Sequence, residues 1–536
     1  MSLLWRSFLA IVSGLLLAVP YVAPGAYLVH WFAFVPLLVA LHNQTLLRSY
    51  GLGLLAGIAL FLLATSWMMT FVQLLKGYGT VSSALISLSY WFYSAQIIAA
   101  VSVVLWGLRR WYGQEPWWLF AVIVTLAFGF FPQLFPLHPG EAQSRFLLAL
   151  QGISLTGVYG LDFVIALTNA LLFRFLLLKP GYLAAWLTPV PGGAARSVER
   201  GPVLAAIAVL MLWFGFGAMT MTHWPPPAGD SELKVGIVQP DEVPSASVPG
   251  PASGFSRAYP PEMAATQALA GAGADLVVWP ETRFKGYFHE AHVAPAYQQS
   301  LSQAGVPLIF HDAERVRTET RDREYNAAVY LNADGRLEAT YRKNKLVAFG
   351  EYLPWGERFP GLAPWLRRHL GDFFADLTPG KQPAEFRLGD AGIVPVICYE
   401  SAFADFVAKA VAHAERPSLI VVISNNGWFG DSRQPMQHTG ITALRAVENR
   451  LPVLHVINNG PSTLVTPDGR ITFLTGQGEA AAVMVPVLYR SEFNPTLFSR
   501  WRYWFPVSLV VLLLMSLVVG TLTVRGRPGR RLQQAL

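Results

Sequence analysis

Charge is scarce in this sequence. Of its 536 residues 14% are Asp, Glu, Lys or Arg, about half the ~25% of an ordinary globular chain. Hydrophobic residues make up 53% and the mean hydropathy is +0.39. So little charge cannot cover a water-exposed surface, which implies a membrane protein. Cysteine is scarcer still: Cys398 is the only one. One thiol excludes an internal disulfide and any Cys-based zinc or iron–sulfur site. The net charge is a modest +7 and dense Lys/Arg tracts are absent, so nucleic acid is not an expected partner. No phosphate loop is present. The stretch GLGLLA (51–56) lies inside an apolar run and reads as helix packing, not a dinucleotide site. HEAH (289–292) has the wrong spacing for a zinc helix. No metal and no cofactor are therefore expected.

What the sequence has in abundance is long apolar runs. Seven lie at about 8–23, 26–41, 51–73, 82–106, 117–134, 155–178 and 203–222, and an eighth at 505–524. The first, with Arg6 ahead of it, could pass for a signal peptide. A second run follows almost at once, so the first reads as a retained span. These runs predict a membrane domain of seven transmembrane helices over 1–222, a Pro-rich linker at 223–231, an α/β domain over 232–488, an eighth transmembrane helix at 505–524 and a basic tail at 525–536.

If every run spans, Arg48, Arg109, Arg110, Lys179, Arg196, Arg200, Arg525, Arg527, Arg530 and Arg531 share one side; Lys76 and Arg145 are the exceptions. Basic loops stay in the cytoplasm, so both termini are expected there and the α/β domain outside, in a periplasm. Trp67, Trp501 and Trp504 are expected near the outer boundary, and Trp106, Trp117 and Trp118 near the inner one.

Between runs seven and eight the chain has ordinary polarity. Short apolar bursts, LKVGIVQ, DLVVWPE, VPLIFH, NAAVYLN, IVPVICYE, SLIVVISNN and PVLHVINN, read as strands. Stretches such as 401–414 and 435–449 read as intervening helices, which gives an α/β layered domain. Polar residues gather at the ends of these strands. Pro280 ends one and delivers Glu281; YRKNKLVAFGEYLPWGE carries Lys343, Lys345 and Glu351; VPVICYESAF carries Cys398, Tyr399 and Glu400. Taken singly each is unremarked: a lone Cys is usually a small apolar filler. Together they make chemical sense. A thiol needs activation, a carboxylate can take its proton, and a fixed ammonium can stabilise the oxyanion formed on a carbonyl. That is acyl transfer through a thioester. His438 reads as a structural histidine near this set.

The order Glu, Lys, Cys in the contexts WPE, YRKNKLVAFGE and CYES resembles the carbon-nitrogen hydrolase (nitrilase) superfamily. With flanking spans, FGEYLP, CYE, NNGWFGDS, QH and NNG, the chain resembles its membrane-bound branch, the apolipoprotein N-acyltransferases. The resemblance implies an α-β-β-α sandwich attached to a membrane α-helical bundle of about eight spans. It implies Glu281 as general base, Lys343 rather than Lys345 as stabiliser of the tetrahedral intermediate, and Cys398 as acylated nucleophile. Glu351, Tyr399 and Glu400 would support them. The implied donor is a phospholipid and the implied acceptor the α-amine of the diacylglyceryl-cysteine of a lipoprotein. The chain departs from the usual pattern at Ala348 in AFGE, at Asn426 and Gly427 in NNGWFGD, at His455 ahead of NNG, and in the loop after the fifth run. The competing expectation is a membrane-tethered nitrilase-like amidase or a paralogue from conjugal-transfer operons.

Overall fold

The computed structural model describes residues 1–112, 116–178, 200–223, 229–244, 250–282, 288, 290–317, 322–354, 356, 358–359, 361–370 and 376–525. Lys179, Arg196, Arg527, Arg530, Arg531 and most of the Pro-rich stretch at 223–231 lie outside the described residues.

Among the described residues, seven helices are long and apolar enough to cross a membrane. They are Leu3–Val22, Pro24–Leu41, Leu46–Ala64, Thr80–Tyr112, Val158–Leu176, Arg200–Thr222 and Trp504–Thr521. The second is a 3-10 segment, Pro24–Trp31, followed by a helix, Val35–Leu41. The fifth apolar run forms a shorter helix, Leu119–Phe130. Its 12 residues rise only about 18 Å, against a hydrocarbon core of about 30 Å. It is apolar because it sits inside the bundle: Leu119, Phe120, Ala121, Val122 and Val124 are fully buried. Run three also divides, into Leu46–Ala64 and a second helix, Met68–Lys76.

Twelve strands build the α/β part: β1 Ser231–Gln239, β2 Leu276–Val278, β3 Leu308–Val316, β4 Arg323–Leu331, β5 Leu337–Arg342, β6 Phe386–Leu388, β7 Ala391–Ile397, β8 Pro417–Ser424, β9 Val453–Ile457, β10 Thr463–Val465, β11 Ile471–Leu474 and β12 Ala481–Tyr489. They form two six-stranded sheets, ordered β12-β1-β2-β3-β4-β5 and β11-β10-β9-β8-β7-β6. Strands β1, β2 and β3 run parallel, as do β7, β8 and β9, and the outer pairs are antiparallel.

The period of two along each strand explains the layering. Val235, Ile237, Leu276, Val278, Ile309, Ala328 and Tyr330 point to the second sheet and share one core with Ile393, Val396, Ile420 and Val422. Their neighbours Val238, Val277, Leu308, Phe310, Val329 and Leu331 point the other way, under helices Pro261–Gly271 and Val293–Ala304 through Met263, Tyr297 and Leu301. Helices Ala404–His413 and Gln434–Asn449 lie outside the second sheet. The result is an α-β-β-α sandwich. Strand β12 carries Pro486, which the edge position tolerates because no ladder bond is needed on its outer side.

The sandwich rests on the bundle through helix Gln434–Asn449, which is buried almost all round. Gln437 Nε2 donates to the carbonyls of Ala64 and Tyr21 at 2.9 and 3.1 Å, and its Oε1 accepts Trp67 Nε1 at 3.0 Å. Glu448 Oε1 accepts the Val158 N–H at 2.9 Å and is paired with the buried Arg445. Residues 21 and 64 thus mark the sandwich end of their helices. At the opposite end Arg6 Nη1 donates to the carbonyls of Ala40 and His42, and Arg109 Nη1 to that of Leu41.

Trp67 is buried at the junction of bundle and sandwich, and Trp117 is buried inside the bundle. Trp501 and Trp504 are exposed.

Candidate active site

The strands deliver polar residues to one end of the sandwich. Glu281 follows β2, Lys343 follows β5, Cys398 follows β7 and Asn425 follows β8. Three of these are carboxyl ends of parallel strands, the usual place for a site in such sheets.

Cys398 opens a 3-10 turn, Cys398–Ala402, with φ +54°. A non-glycine residue held in the left-handed region costs on the order of 1–3 kcal/mol and persists only where its surroundings impose it. Here the imposing group is Glu400. Its fully buried carboxylate accepts the backbone N–H of Ile397 at 2.9 Å, closing the turn back onto the strand. The same carboxylate accepts the N–H groups of Asn344 and Lys345 at 2.6 and 2.9 Å and the Tyr341 hydroxyl at 2.7 Å. Glu400 therefore fastens the nucleophile turn to the segment that carries Lys343. Burial raises its carboxyl to about 7 despite these donors.

Lys343 is 1% exposed, with Nζ 2.8 Å from Glu351 Oε1 and 3.6 Å from Glu281 Oε1. Burial alone would lower the ammonium pKa, but Glu351 and Glu281 outweigh it and raise it, so Lys343 stays charged. Lys345 is different: it is exposed, its Nζ lying 5.4 Å over the Phe403 ring. Glu351 closes a tight loop in which Phe349 has φ +61°. Its second oxygen accepts the Val347 N–H at 2.7 Å, so one carboxylate both shapes the loop and holds the lysine.

Glu281 Oε2 accepts the Asn425 N–H at 3.2 Å, and Glu281 lies against the Cys398 thiol. Burial pushes its carboxyl up; Lys343, His311 and hydrogen bonds pull it further the other way, so the net shift is down and Glu281 is a carboxylate at rest. The thiol shows the reverse balance. Burial and the facing Glu281 hold its pKa well above the usual range, against the weaker pull of Lys343. A thiolate here would sit beside two carboxylates with one ammonium to offset them. Moving the proton from Sγ to Glu281 leaves the net charge of the cluster unchanged, so the arrangement lets Glu281 accept it.

Asn326 in β4 joins the two carboxylates. Its Nδ2 donates to Glu281 Oε1 at 2.8 Å and to Glu351 Oε1 at 2.9 Å, while its Oδ1 lies 3.0 Å from His311 Nε2. Sequence reasoning missed both residues. The one signal was an amide at the head of an otherwise apolar strand, NAAVYL. Tyr341 and Asn425 were missed as well.

Tyr399 is 7% exposed and packs edge-on against Phe135 at 5.1 Å, in a cluster with Trp67, Phe71 and Phe429 against which Cys398 also packs. The loop after β8 joins this cluster: Phe429 stacks on Phe71 at 5.0 Å and meets Trp67 edge-on at 5.1 Å. Gly427 is required in that loop, because a Cβ there would stand 2.1 Å from Asn459 Oδ1. Among the described residues no group of three or more His, Cys, Asp or Glu side chains is arranged to hold a metal.

Two family models match the chain, the apolipoprotein N-acyltransferase N-terminal domain over residues 13–171 and the carbon-nitrogen hydrolase family over 256–488. The sequence is similar to an apolipoprotein N-acyltransferase of Azotobacter vinelandii, at 30% identity over 88% of this chain and 87% of the relative. It is similar to that of Gloeobacter violaceus at 30% identity, over 94% and 91%. The chain belongs to the apolipoprotein N-acyltransferase family. Another member, from Geobacter metallireducens, is 29% identical over 87% of this chain and 86% of its own length. Similarity of this extent covers bundle and sandwich together, so the membrane helices belong to the family's architecture as much as the nitrilase fold does. A soluble amidase core with an unrelated tether would match over the sandwich alone.

Proposed function

We propose that this chain carries out the reaction its family is named for, transferring an acyl chain to the N-terminal amine of a lipoprotein. The observation that carries the reading is the cluster of buried Glu281 and Lys343 facing a half-buried Cys398, in a chain similar to N-acyltransferases over both of its parts. The donor in this reading is a phospholipid. Sγ of Cys398 attacks the ester carbonyl while Glu281 takes the thiol proton. The ammonium of Lys343 stabilises the oxyanion. As the C–O bond breaks, Glu281 returns the proton to the leaving lysophospholipid oxygen, and a thioester remains on Cys398.

In the second half the neutral α-amine of the diacylglyceryl-cysteine attacks the thioester carbonyl. Glu281 accepts a proton from the amine and passes it to the departing Sγ, so the amide forms and the thiol is regenerated. Glu351, Asn326 and Glu400 hold the ammonium and the base in place through both halves.

The location follows from charge. Arg6 and Arg109 meet at the end of the bundle away from the sandwich, and Arg48 begins a helix whose other end, Ala64, touches the sandwich. With basic residues retained in the cytoplasm, the sandwich sits on the outer, periplasmic face and both substrates stay anchored in the bilayer. Incubating wild type and Cys398→Ala with phospholipid and weighing the intact proteins tests the reading: an acyl mass on wild type alone is expected, and equal adducts on both would reject it.

A further inference from the structure

His438 lies in helix Gln434–Asn449 and is fully buried. Its Nε2 is 2.7 Å from Ser401 Oγ, and Ser401 Oγ lies 3.0 Å from the carbonyl oxygen of Cys398. Its Nδ1 is 3.0 Å from Asn426 Oδ1. That oxygen can only accept, so Nδ1 donates to it and Nε2 accepts from the Ser401 hydroxyl, and the ring bridges the turn of Cys398 and the loop after β8. That loop is the one seated on the membrane helix Met68–Lys76 through Phe429 and Phe71. A second histidine, His455, packs edge-on at 4.6 Å and is tied to Ser424 Oγ at 2.7 Å and Thr442 Oγ1 at 3.2 Å. Burial drives the His438 pKa down to about 4 and that of His455 well below its ordinary value, so both rings are neutral and each nitrogen has one defined hydrogen-bonding role.

This arrangement solves two problems at once. Cys398 is held at positive φ, and the orientation of its carbonyl is part of that conformation. Glu400 fixes the turn from the side of β7; Ser401 and His438 fix it from the side of the outer helix. The loop after β8 supplies the Asn425 N–H that faces Glu281, and Asn426 is the next residue. A shift of either partner would change the distance between base and thiol.

We infer that His438 is a positioning residue: through Ser401 and Asn426 it locks the strained Cys398 turn to the membrane-seated loop 425–430, and so sets the nucleophile against its base. The inference rests on Cys398 being the acyl carrier. The helix that presents His438 also carries Gln437, whose amide bonds the ends of two membrane helices. Bundle, loop and nucleophile are therefore held by consecutive residues of one helix.

The test measures the rate at which phospholipid acylates Cys398, by intact mass, in wild type, His438→Gln, His438→Phe and Ser401→Ala, each checked for a cooperative thermal transition. A glutamine retains one donor and one acceptor; a phenylalanine retains the ring without either. The expected result is a loading rate lowered about tenfold or more in His438→Phe and Ser401→Ala, with an unchanged half-saturating donor concentration. His438→Gln should load within about threefold of wild type, and a double variant carrying His438→Phe and Ser401→Ala should be no slower than the slower single one, as for residues acting in one path. Loading at the wild-type rate in folded His438→Phe, or equal losses in His438→Gln and His438→Phe, would overturn the inference. If His438→Phe does not fold, Ser401→Ala decides alone: wild-type loading there overturns it. Failure of wild type itself to load would reject the acyl-carrier reading instead, so the two outcomes are distinct.

Discussion

Glu400 accepts the backbone N–H of Asn344 at 2.6 Å, so a carboxylate two residues after Cys398 fixes the residue next to Lys343. Four donors converge on that carboxylate, from Ile397, Asn344, Lys345 and Tyr341. Replacing Glu400 by Ala leaves the buried Ile397 N–H and Tyr341 hydroxyl and the part-buried N–H groups of Asn344 and Lys345 without this acceptor. Each orphaned donor costs about 1–3 kcal/mol, partly relieved by water entering the gap. Glu400→Ala is expected to lower the unfolding temperature by several degrees or more and to slow acyl loading at least tenfold. Calorimetry in detergent and intact-mass kinetics check the two effects.

The same variant isolates a pH effect. The Glu400 carboxyl is raised from 4.5 to about 7 in the folded chain. A raised carboxyl adds stability that is complete below its unfolded value and lost as pH rises through its folded value. The rise corresponds to on the order of 3 kcal/mol. Glu281, whose carboxyl is lowered, acts in the opposite sense: its contribution is present above 4.5 and lost as pH falls further. Subtracting Glu400→Ala from wild type removes the groups they share. The stability gap between them is expected to be larger at pH 5 than at pH 8; an equal gap would contradict the assigned shift.

Removing the ammonium has a sharper consequence. Lys343→Met leaves Glu281 and Glu351 buried with no cation between them and no positive group for the oxyanion. A lost oxyanion contact typically costs about 10²–10³ in rate. Acyl loading of Cys398 is expected to fall by that factor, while Lys345→Met, at an exposed site, is expected to load within about twofold of wild type. The paired kinetics of the two lysine variants check the choice between them.

Much of this site was legible because strands ended in polar residues. Glu281 after VVWP and Cys398 after VPVI each follow an apolar burst, Lys343 follows the more polar strand LEATYR, and the structure brings the three to one end of the sandwich. Asn326, which bonds both carboxylates, was not legible, because an Asn at the head of an apolar strand reads as the strand's solvent end. Strands β6 and β10 have three residues each, too few for a period of two to register, and β12 carries a proline. The burial of Trp67 was not legible, because nothing in its own segment announces that Phe429, more than 300 residues away, covers it. The short length of the helix in the fifth apolar run was not legible, because burial inside the bundle selects the same apolar residues as contact with lipid does.

Topology gives a separate prediction. A reporter fused after residue 536 should read as cytoplasmic, and one inserted between residues 232 and 488 as periplasmic. Protease or alkaline-phosphatase-type reporters on intact cells check it. The reverse pattern would move the site to the wrong face for its proposed acceptor.

The most direct test follows the thioester through both halves of the reaction. Wild-type protein in liposomes is charged with phospholipid, freed of excess donor, and then given either a diacylated lipopeptide with a free N-terminal amine or buffer alone. The account predicts an acyl mass on Cys398 that disappears quickly with the lipopeptide, reappears as an amide on its N-terminus, and persists in buffer. An adduct discharged equally fast by buffer, with free fatty acid and no amide, would contradict it and make the chain a hydrolase.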